Sequence, residues 1–178
     1  MIVSMDGYLL RPVEPADGEA FYKYKNDPEV VDLLGGFRTG YSRADIAEWI
    51  ERHRKRPDEV VWTIAEVETD RGLGHVGLYN IDHRIRSAEF GIMIGDKSYW
   101  GKGIGRRCTD LVFTYGFHYL NLNRIHLSVL ATNQRAFRLY RSLGCQEEGR
   151  LRQAQYKNGE YVDLILMGLL REEYLNAN

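Results

Sequence analysis

The sequence is poor in cysteine, in long apolar runs and in net charge, and each shortage excludes a class of protein. Its two cysteines, Cys108 and Cys145, lack metal-ligand spacing and are too few for a disulfide scaffold. No apolar run approaches the roughly 18 residues that a membrane-spanning helix needs. The net charge of -1 creates no overall field toward nucleic acid or an anionic membrane. We therefore expect no metal, no nucleic-acid partner and no membrane partner.

What remains fits one domain over residues 1–178. A chain of 178 residues with 44% hydrophobic residues can bury a sizeable core. Four prolines are too few for a proline-rich linker. Residues 1–10 lack the basic start and the apolar run of a secretory signal. Since the low cysteine count also suits a reducing compartment, we expect a cytoplasmic protein.

One segment concentrates glycine and positive charge: residues 99–107, Tyr-Trp-Gly-Lys-Gly-Ile-Gly-Arg-Arg. An apolar segment typical of a buried strand precedes it, and residues 108–120 after it have helical periodicity. A glycine loop between a strand and a helix N-terminus presents unpaired backbone N–H groups to an anion. Lys102, Arg106 and Arg107 add positive charge. The segment therefore predicts a site for a phosphate-bearing ligand.

The glycine spacing argues against two common nucleotide sites. The pattern is G-x-G-x-G, whereas a dinucleotide loop needs G-x-G-x-x-G and an acidic residue about 20 positions further on. A nucleoside triphosphate loop needs Gly-Lys followed by Ser or Thr, but Gly105 precedes Arg106 and Arg107. On these residues alone, a glycine-rich turn with solvated basic side chains and no ligand stays open as the alternative.

A second motif, at residues 133–144, follows the glycine loop and its helix. Its pattern Asn-x-x-Ala-x-x-x-Tyr-x-x-x-Gly, together with the segment from Trp100 to Gly105, resembles the GNAT N-acetyltransferases, which bind acetyl-CoA. The likeness runs from about Tyr8 to Tyr174. Trp-Gly-Lys-Gly is similar to the branch that acetylates ribosomal-protein N-termini, although Trp100 stands where the family often has Gln or Arg.

The resemblance implies an α/β (α+β) fold of the GNAT type, with a mixed, mostly antiparallel central sheet flanked by helices. It also implies that the sheet is splayed between the strands at residues 88–95 and 124–130. Residue patterns add a helix at 42–56 that begins at a capping box formed by Ser42 and Asp45. They also add a terminal hairpin that turns at Asn158-Gly159.

Two residues are candidates for the chemistry. The resemblance places Tyr140 as the general acid, and a phenol with a pKa near 10 is protonated at neutral pH. Strand alternation places Glu89 opposite to Phe90, as a candidate base for the amine, directly or through water. The alternatives are core packing for Tyr140 and a solvated strand-end charge for Glu89. The resemblance implies that acetyl-CoA is held by Ile92, Met93, Ile94, Trp100, Gly101, Lys102, Gly103, Ile104, Gly105, Arg106, Asn133, Arg135 and Ala136.

The expected activity is transfer of an acetyl group from acetyl-CoA to a primary amine, on a protein N-terminus or a small molecule. The alternatives are a polyamine or aminoglycoside acetyltransferase, and a non-catalytic CoA-binding module on the same fold. The acceptor pocket would come from residues 27–41 and 156–163, where Asp27, Glu29 and Asp32 could attract a cationic amine. The hairpin pattern Asn-Gly-x-Tyr-x-Asp is shared with polyamine acetyltransferases. A homodimer is left open.

Overall fold

Eight strands form one mixed sheet in this computed structural model, which describes residues 3–5, 7–36 and 39–177. The strand order across the sheet is β1-β2-β3-β4-β5-β6-β8-β7. The strands are β1 (Val3–Met5), β2 (Tyr8–Pro12), β3 (Val60–Glu66), β4 (Gly72–Asp82), β5 (Ser87–Ile94), β6 (Arg124–Leu130), β7 (Gln146–Lys157) and β8 (Glu160–Leu170). The helices are α1 (Gly18–Lys25), α2 (Pro28–Val31), α3 (Arg43–Lys55), α4 (Ile104–Thr114), α5 (Gln134–Ser142) and α6 (Arg171–Ala177).

The sheet opens between β5 and β6, the one parallel pair among the described strands. These two strands pair only over residues 87–89 and 124–126. Beyond that point β5 continues to Ile94 on β4, and β6 continues to Leu130 on β8. One edge of β5 after Glu89 is therefore left without a partner among the described strands. The predicted mixed, mostly antiparallel sheet and its splay are confirmed.

Helices cover both faces of this sheet. Ile92 and Ile94 pack with a hydrophobic cluster that contains Ile104 of α4. Met93, between them in β5, packs with a second cluster that contains Phe21 of α1 and residues of α2 and α3. Since successive side chains of a strand point to opposite faces, α1 to α3 lie on one face and α4 lies on the other. The splay thus connects the two faces.

Local sequence rules account for the ends of two elements. The side chain of Ser42 accepts from the backbone N–H of Asp45 at 3.1 Å, and the Asp45 carboxylate accepts from the backbone N–H of Ser42 at 2.7 Å. The predicted capping box is therefore confirmed. In the predicted hairpin, Asn158 and Gly159 have φ angles of 51° and 89°, the positive values that a two-residue type I′ turn requires.

Other elements differ from the sequence prediction because tertiary contacts decide them. The helix after the glycine loop begins at Ile104, which is 1% exposed, rather than near Cys108. The sequence from Glu29 to Leu34 favours one short helix, but α2 ends at Val31. The last helix, α6, was not predicted from its polar sequence. It is held by Tyr174, which is buried and whose ring stacks on that of Phe117 at 5.0 Å between centroids.

Candidate active site

A cavity of about 600 Å³ lies where β5 and β6 separate. Its walls are β5, the glycine loop, the end of β6, α5 and the turn that follows α2. Glu89 and Tyr140 both line it. Every residue predicted to hold acetyl-CoA also lines it, except Lys102. The splay therefore collects residues that are far apart in the chain around one space.

The glycine loop presents its backbone to this cavity. Gly101 and Gly103 have φ angles of 77° and 81°, a region that other residues rarely adopt. Gly103 is the N-cap of α4 and has no side chain to bond the first N–H groups of that helix. A Cβ atom on Gly105 would lie 3.3 Å from the side chain of Ile94. An anionic group can thus approach the helix N-terminus closely, and this arrangement fits a phosphate.

Trp100 joins three walls of the cavity. Its indole Nε1 donates to the carbonyl oxygen of Ile94 at 2.8 Å, which ties the glycine loop to the end of β5. The guanidinium of Arg135, from the first turn of α5, lies 4.9 Å from the centroid of the Trp100 ring. The residue that departs from the usual family pattern is therefore a structural link between β5, the loop and α5.

Positive charge lines the cavity, with Arg106 and Arg135 beside the glycine loop. Arg106, Arg135 and Arg138 all contribute to the wall. The guanidinium of Arg106 donates to Ser142 Oγ at 2.5 Å, so it also bridges α4 and α5. Sequence reasoning missed Arg138, although its position three residues after Arg135 places both on one helix face. Lys102 lies elsewhere, with its Nζ 5.2 Å from the centroid of the Tyr99 ring.

Glu89 contributes the one carboxylate among the described residues that line the cavity. It stands at the apex of the splay, paired across the sheet with Tyr79 of β4 and His126 of β6. Ile94, beside the glycine loop, is five residues further along β5, a separation of roughly 16 Å in a strand. The cavity therefore has a cationic end and an anionic end.

The carboxylate of Glu89 accepts a hydrogen bond from Asn80. The distance from Asn80 Nδ2 to Glu89 Oε2 is 3.1 Å. Sequence reasoning does not single out Asn80, because the pairing of β4 with β5 brings the two side chains together. By strand alternation Glu89 lies on the same face as Met93, which packs against α1 to α3.

Tyr140 reaches the cavity from the opposite face. Its side chain is 8% exposed, and its ring meets that of Phe90 edge to face, with 6.0 Å between centroids. Phe90 points away from the face that carries Glu89. Burial, with a smaller contribution from the neighbouring Cys145, raises the pKa of the Tyr140 phenol well above its ordinary value. The hydroxyl is therefore protonated at neutral pH and able to donate.

Asn133, predicted to hold acetyl-CoA, uses both ends of its side-chain amide within the protein. Its Oδ1 accepts from the backbone N–H of Ala136 at 3.1 Å and so caps α5. Its Nδ2 donates to the carbonyl oxygen of Leu33 at 3.0 Å, in the turn after α2. Since Leu33 also lines the cavity, this amide links the start of α5 to the predicted acceptor side.

The tip of the β7–β8 hairpin also contacts the turn after α2. Lys157 Nζ donates to the carbonyl oxygen of Gly36 at 2.6 Å, and Asn158 Nδ2 donates to the Asp32 carboxylate at 2.9 Å. The two segments predicted to form the acceptor pocket are thus in contact. Phe37 and Arg38, within the first of them, lie outside the described residues.

Asp27 and Glu29, the other acidic residues predicted to attract the amine, both pair with Lys97. Lys97 Nζ lies 2.9 Å from the Asp27 carboxylate and 3.1 Å from the Glu29 carboxylate. Neither Asp27 nor Glu29 lines the cavity.

Over residues 3–5, 7–36 and 39–177, no group of three His, Cys, Asp or Glu side chains is placed to hold a metal ion. Of the helices in these ranges, none has the length and apolar character needed to cross a bilayer.

Comparison with known proteins assigns the family. Residues 8–146 match the family model of the acetyltransferase (GNAT) domain. The spermidine N(1)-acetyltransferase of Escherichia coli strain K12 is 32% identical over 93% of this chain and 87% of its own. The chain therefore belongs to the GNAT family. It is an acetyl-CoA-dependent N-acetyltransferase.

Two further relatives bear on the finer assignment. The crystal structure of spermidine N-acetyltransferase from Vibrio cholerae, in complex with CoA and spermine, superposes with a TM-score of 0.88. It is 29% identical, and the match covers 97% of this chain and 100% of that one. A candidate ribosomal N-acetyltransferase of Bacillus subtilis is 35% identical, but only over 57% of this chain and 55% of its own.

Proposed function

We propose that this enzyme acetylates a primary amine of a cationic small molecule of the polyamine class. The observation that carries this proposal is the carboxylate of Glu89, the one carboxylate among the described lining residues, which stands five positions along β5 from Ile94 and the glycine loop, where Arg106 and Arg135 lie. An anionic end attracts an ammonium group, and a cationic end with an uncapped helix N-terminus suits the phosphates of acetyl-CoA. The names of the E. coli and V. cholerae relatives support the same acceptor class.

In this proposal Glu89 deprotonates the acceptor amine, which is the nucleophile. An alkylammonium with a pKa near 10.4 is almost fully protonated at neutral pH and cannot attack. Glu89 accepts one proton from it, directly or through a water molecule, and the neutral nitrogen attacks the carbonyl carbon of the thioester. A backbone N–H of the unpaired edge of β5, near Met93 or Ile94, would stabilise the oxygen as it becomes anionic.

Tyr140 completes the transfer by protonating the leaving group. As the carbon–sulfur bond breaks, the electron pair goes to sulfur, and the phenol donates its proton to the thiolate. The nitrogen loses two protons between ammonium and amide. One of them balances the proton that sulfur receives, and the other leaves to solvent. The placement of Glu89 and Tyr140 on opposite faces of the sheet suits this division, since amine and thiolate are separate substituents of the reacting carbon and each needs its own proton-transfer group.

A panel of acceptors tests the proposal, with release of the CoA thiol as the readout. We expect kcat/KM to be highest for spermidine or spermine and lower for an aminoglycoside. A peptide with a ribosomal-protein N-terminus tests the second candidate, which is favoured by Trp-Gly-Lys-Gly and by the partial B. subtilis match. Turnover confined to that peptide would overturn the polyamine assignment. Thermal stabilisation by CoA with no thiol release from any of these acceptors would also overturn it and would place the acceptor in another chemical class.

A further inference from the structure

A β-bulge lies directly beside Glu89. The register between β4 and β5 shifts between Tyr79 and Asp82, so that Asn80 and Ile81 together oppose a single residue of β5. Asn80 has a φ angle of 51°, in the left-handed region. Bulges of this kind redirect a side chain and are frequent next to active sites. The backbone N–H of Ile81 donates to the carbonyl oxygen of Asp58 at 2.9 Å, which anchors the bulge.

The bulge places the side-chain amide of Asn80 beside Glu89, the proposed base. Asn80 Nδ2 donates to Glu89 Oε2 at 3.1 Å, and Glu89 also lines the cavity. A glutamate side chain has several rotatable bonds, and a bond to one of its oxygens restricts the orientations of the other. A base that is already oriented loses less entropy when the amine or a water molecule binds to it.

We propose that Asn80 is a positioning residue, which holds the Glu89 carboxylate so that its second oxygen faces the incoming amine or a bridging water. This inference rests on the proposed role of Glu89. The left-handed backbone alone does not carry it, because Asn121 and Asn158 adopt the same conformation away from the cavity, with φ angles of 53° and 51°. The hydrogen bond to a cavity-lining carboxylate is what distinguishes Asn80 from these two.

The test removes the amide without straining the backbone. Glycine adopts a positive φ freely, so Asn80→Gly deletes the donor and keeps the bulge accessible. We expect kcat for spermidine to fall about tenfold, the typical worth of one hydrogen bond to a charged group, with the KM for acetyl-CoA little changed. The matched control is Asn121→Gly, the same substitution at an exposed left-handed position outside the cavity. It should keep the wild-type kcat.

A double-mutant cycle separates positioning from a structural role. In a Glu89→Gln background, Asn80→Gly should cause no further loss of kcat, because no base remains to be oriented. An equal loss in both backgrounds would show that Asn80 acts through stability and would overturn the proposal. If Asn80→Gly does not fold, Asn80→Asp serves in its place. Asp tolerates a positive φ, and its carboxylate repels Glu89.

The same cycle distinguishes failure of this inference from failure of the proposed function. A slow Glu89→Gln enzyme combined with a normal Asn80→Gly enzyme would overturn the positioning role alone. A Glu89→Gln enzyme with the wild-type single-turnover rate would overturn the base assignment and the positioning role together. Melting temperatures, with and without CoA, verify that each variant is folded and retains its cofactor site.

Discussion

At the scale of single residues, burial sets the protonation of the side chains near the site. Tyr140 is buried against Phe90, and the raised pKa of its phenol keeps the proton in place over the whole range in which enzymes work. The supply of this proton therefore does not vary with pH near neutrality. Variation of the rate in that range is then expected from the acceptor amine, whose neutral fraction grows as pH rises.

Replacement of Tyr140 by phenylalanine tests its proposed role. The variant removes the hydroxyl and keeps the ring that packs on Phe90. Since a positioned general acid is worth about 10²–10⁴-fold, the single-turnover rate should fall by at least about 100-fold, while CoA still raises the melting temperature as it does for the wild type. A fall of less than about tenfold would assign Tyr140 to core packing.

Lys25, on the sheet face covered by α1 to α3, allows a test of how the free energy of unfolding depends on pH. Lys25 Nζ lies 4.3 Å from the centroid of the Trp49 ring, and burial, with some repulsion from Arg52, lowers its pKa to about 8. In the unfolded chain the lysine has a pKa near 10.4, so between pH 8 and pH 10 the unfolded chain binds more protons than the folded one. The free energy of unfolding therefore rises with pH in that window.

Chemical denaturation of the wild type and of Lys25→Met measures this effect. Between pH 8 and pH 9.5 the unfolding free energy of the wild type should rise by roughly 1.5 kcal/mol relative to the variant, which has no such group to titrate. The comparison between the two proteins cancels the other groups that titrate in this range. A constant difference between the two proteins over this pH range would contradict the prediction.

At the scale of elements, the glycine loop is shaped by backbone conformation. Gly103 caps α4 at a φ angle of 81°, and among the described residues no atom beyond its two chain neighbours lies within 4 Å of the position that its Cβ would occupy. The requirement for glycine here is therefore a matter of backbone angle and of ligand approach, since the protein itself leaves room for a side chain. At Gly105, by contrast, the side chains of Ile94 and Leu139 limit the space.

Two substitutions at Gly103 separate these effects. Asparagine tolerates a positive φ and favours the N-cap position, whereas valine is strained there. Gly103→Val should lose most of the thermal shift caused by CoA, and Gly103→Asn should retain the loop conformation and a larger part of the shift. Equal CoA affinity in a folded Gly103→Val variant, measured by calorimetry, would remove the loop from the cofactor site.

At the scale of the whole molecule, distant parts of the chain meet around the cavity. The turn after α2 is held by the tip of the β7–β8 hairpin and by Asn133, more than 90 residues away in sequence. These contacts close the predicted acceptor side independently of the glycine loop. Homodimer formation and cytoplasmic location remain predictions, which light scattering and fractionation would test.

Lys157→Met tests this long-range contact. The variant keeps a side chain of similar length but loses the donor to the carbonyl oxygens of Val31 and Gly36. We expect the KM for spermidine to rise about three- to tenfold with little change in the affinity for CoA, because one or two hydrogen bonds of about 1 kcal/mol hold the turn. Lys55→Met, at an exposed position of α3, is the control. A parallel loss of CoA affinity would mean that the turn and the cofactor site are not independent.

Much of the cofactor side could be predicted from the sequence, because its rules are local. The glycine spacing, the helix that follows and the Asn133-to-Gly144 pattern each depend on residues within a few turns of one another. The same holds for the Ser42 capping box and the Asn158-Gly159 turn. The resemblance then supplied the mixed, mostly antiparallel sheet and the position of its splay, which residue patterns by themselves do not determine.

Contacts between distant segments were decided only by the tertiary structure. Asn80 meets Glu89 through the register of two strands, Trp100 donates to Ile94 across a turn, and the hairpin tip reaches Gly36 from the other end of the chain. In each case strand pairing and packing determine the partner, which cannot be predicted from the residues next to it in the sequence. The sequence by itself therefore determined the family and indicated the proposed cofactor loop, and the fold decided how the proposed base and the predicted acceptor side are held.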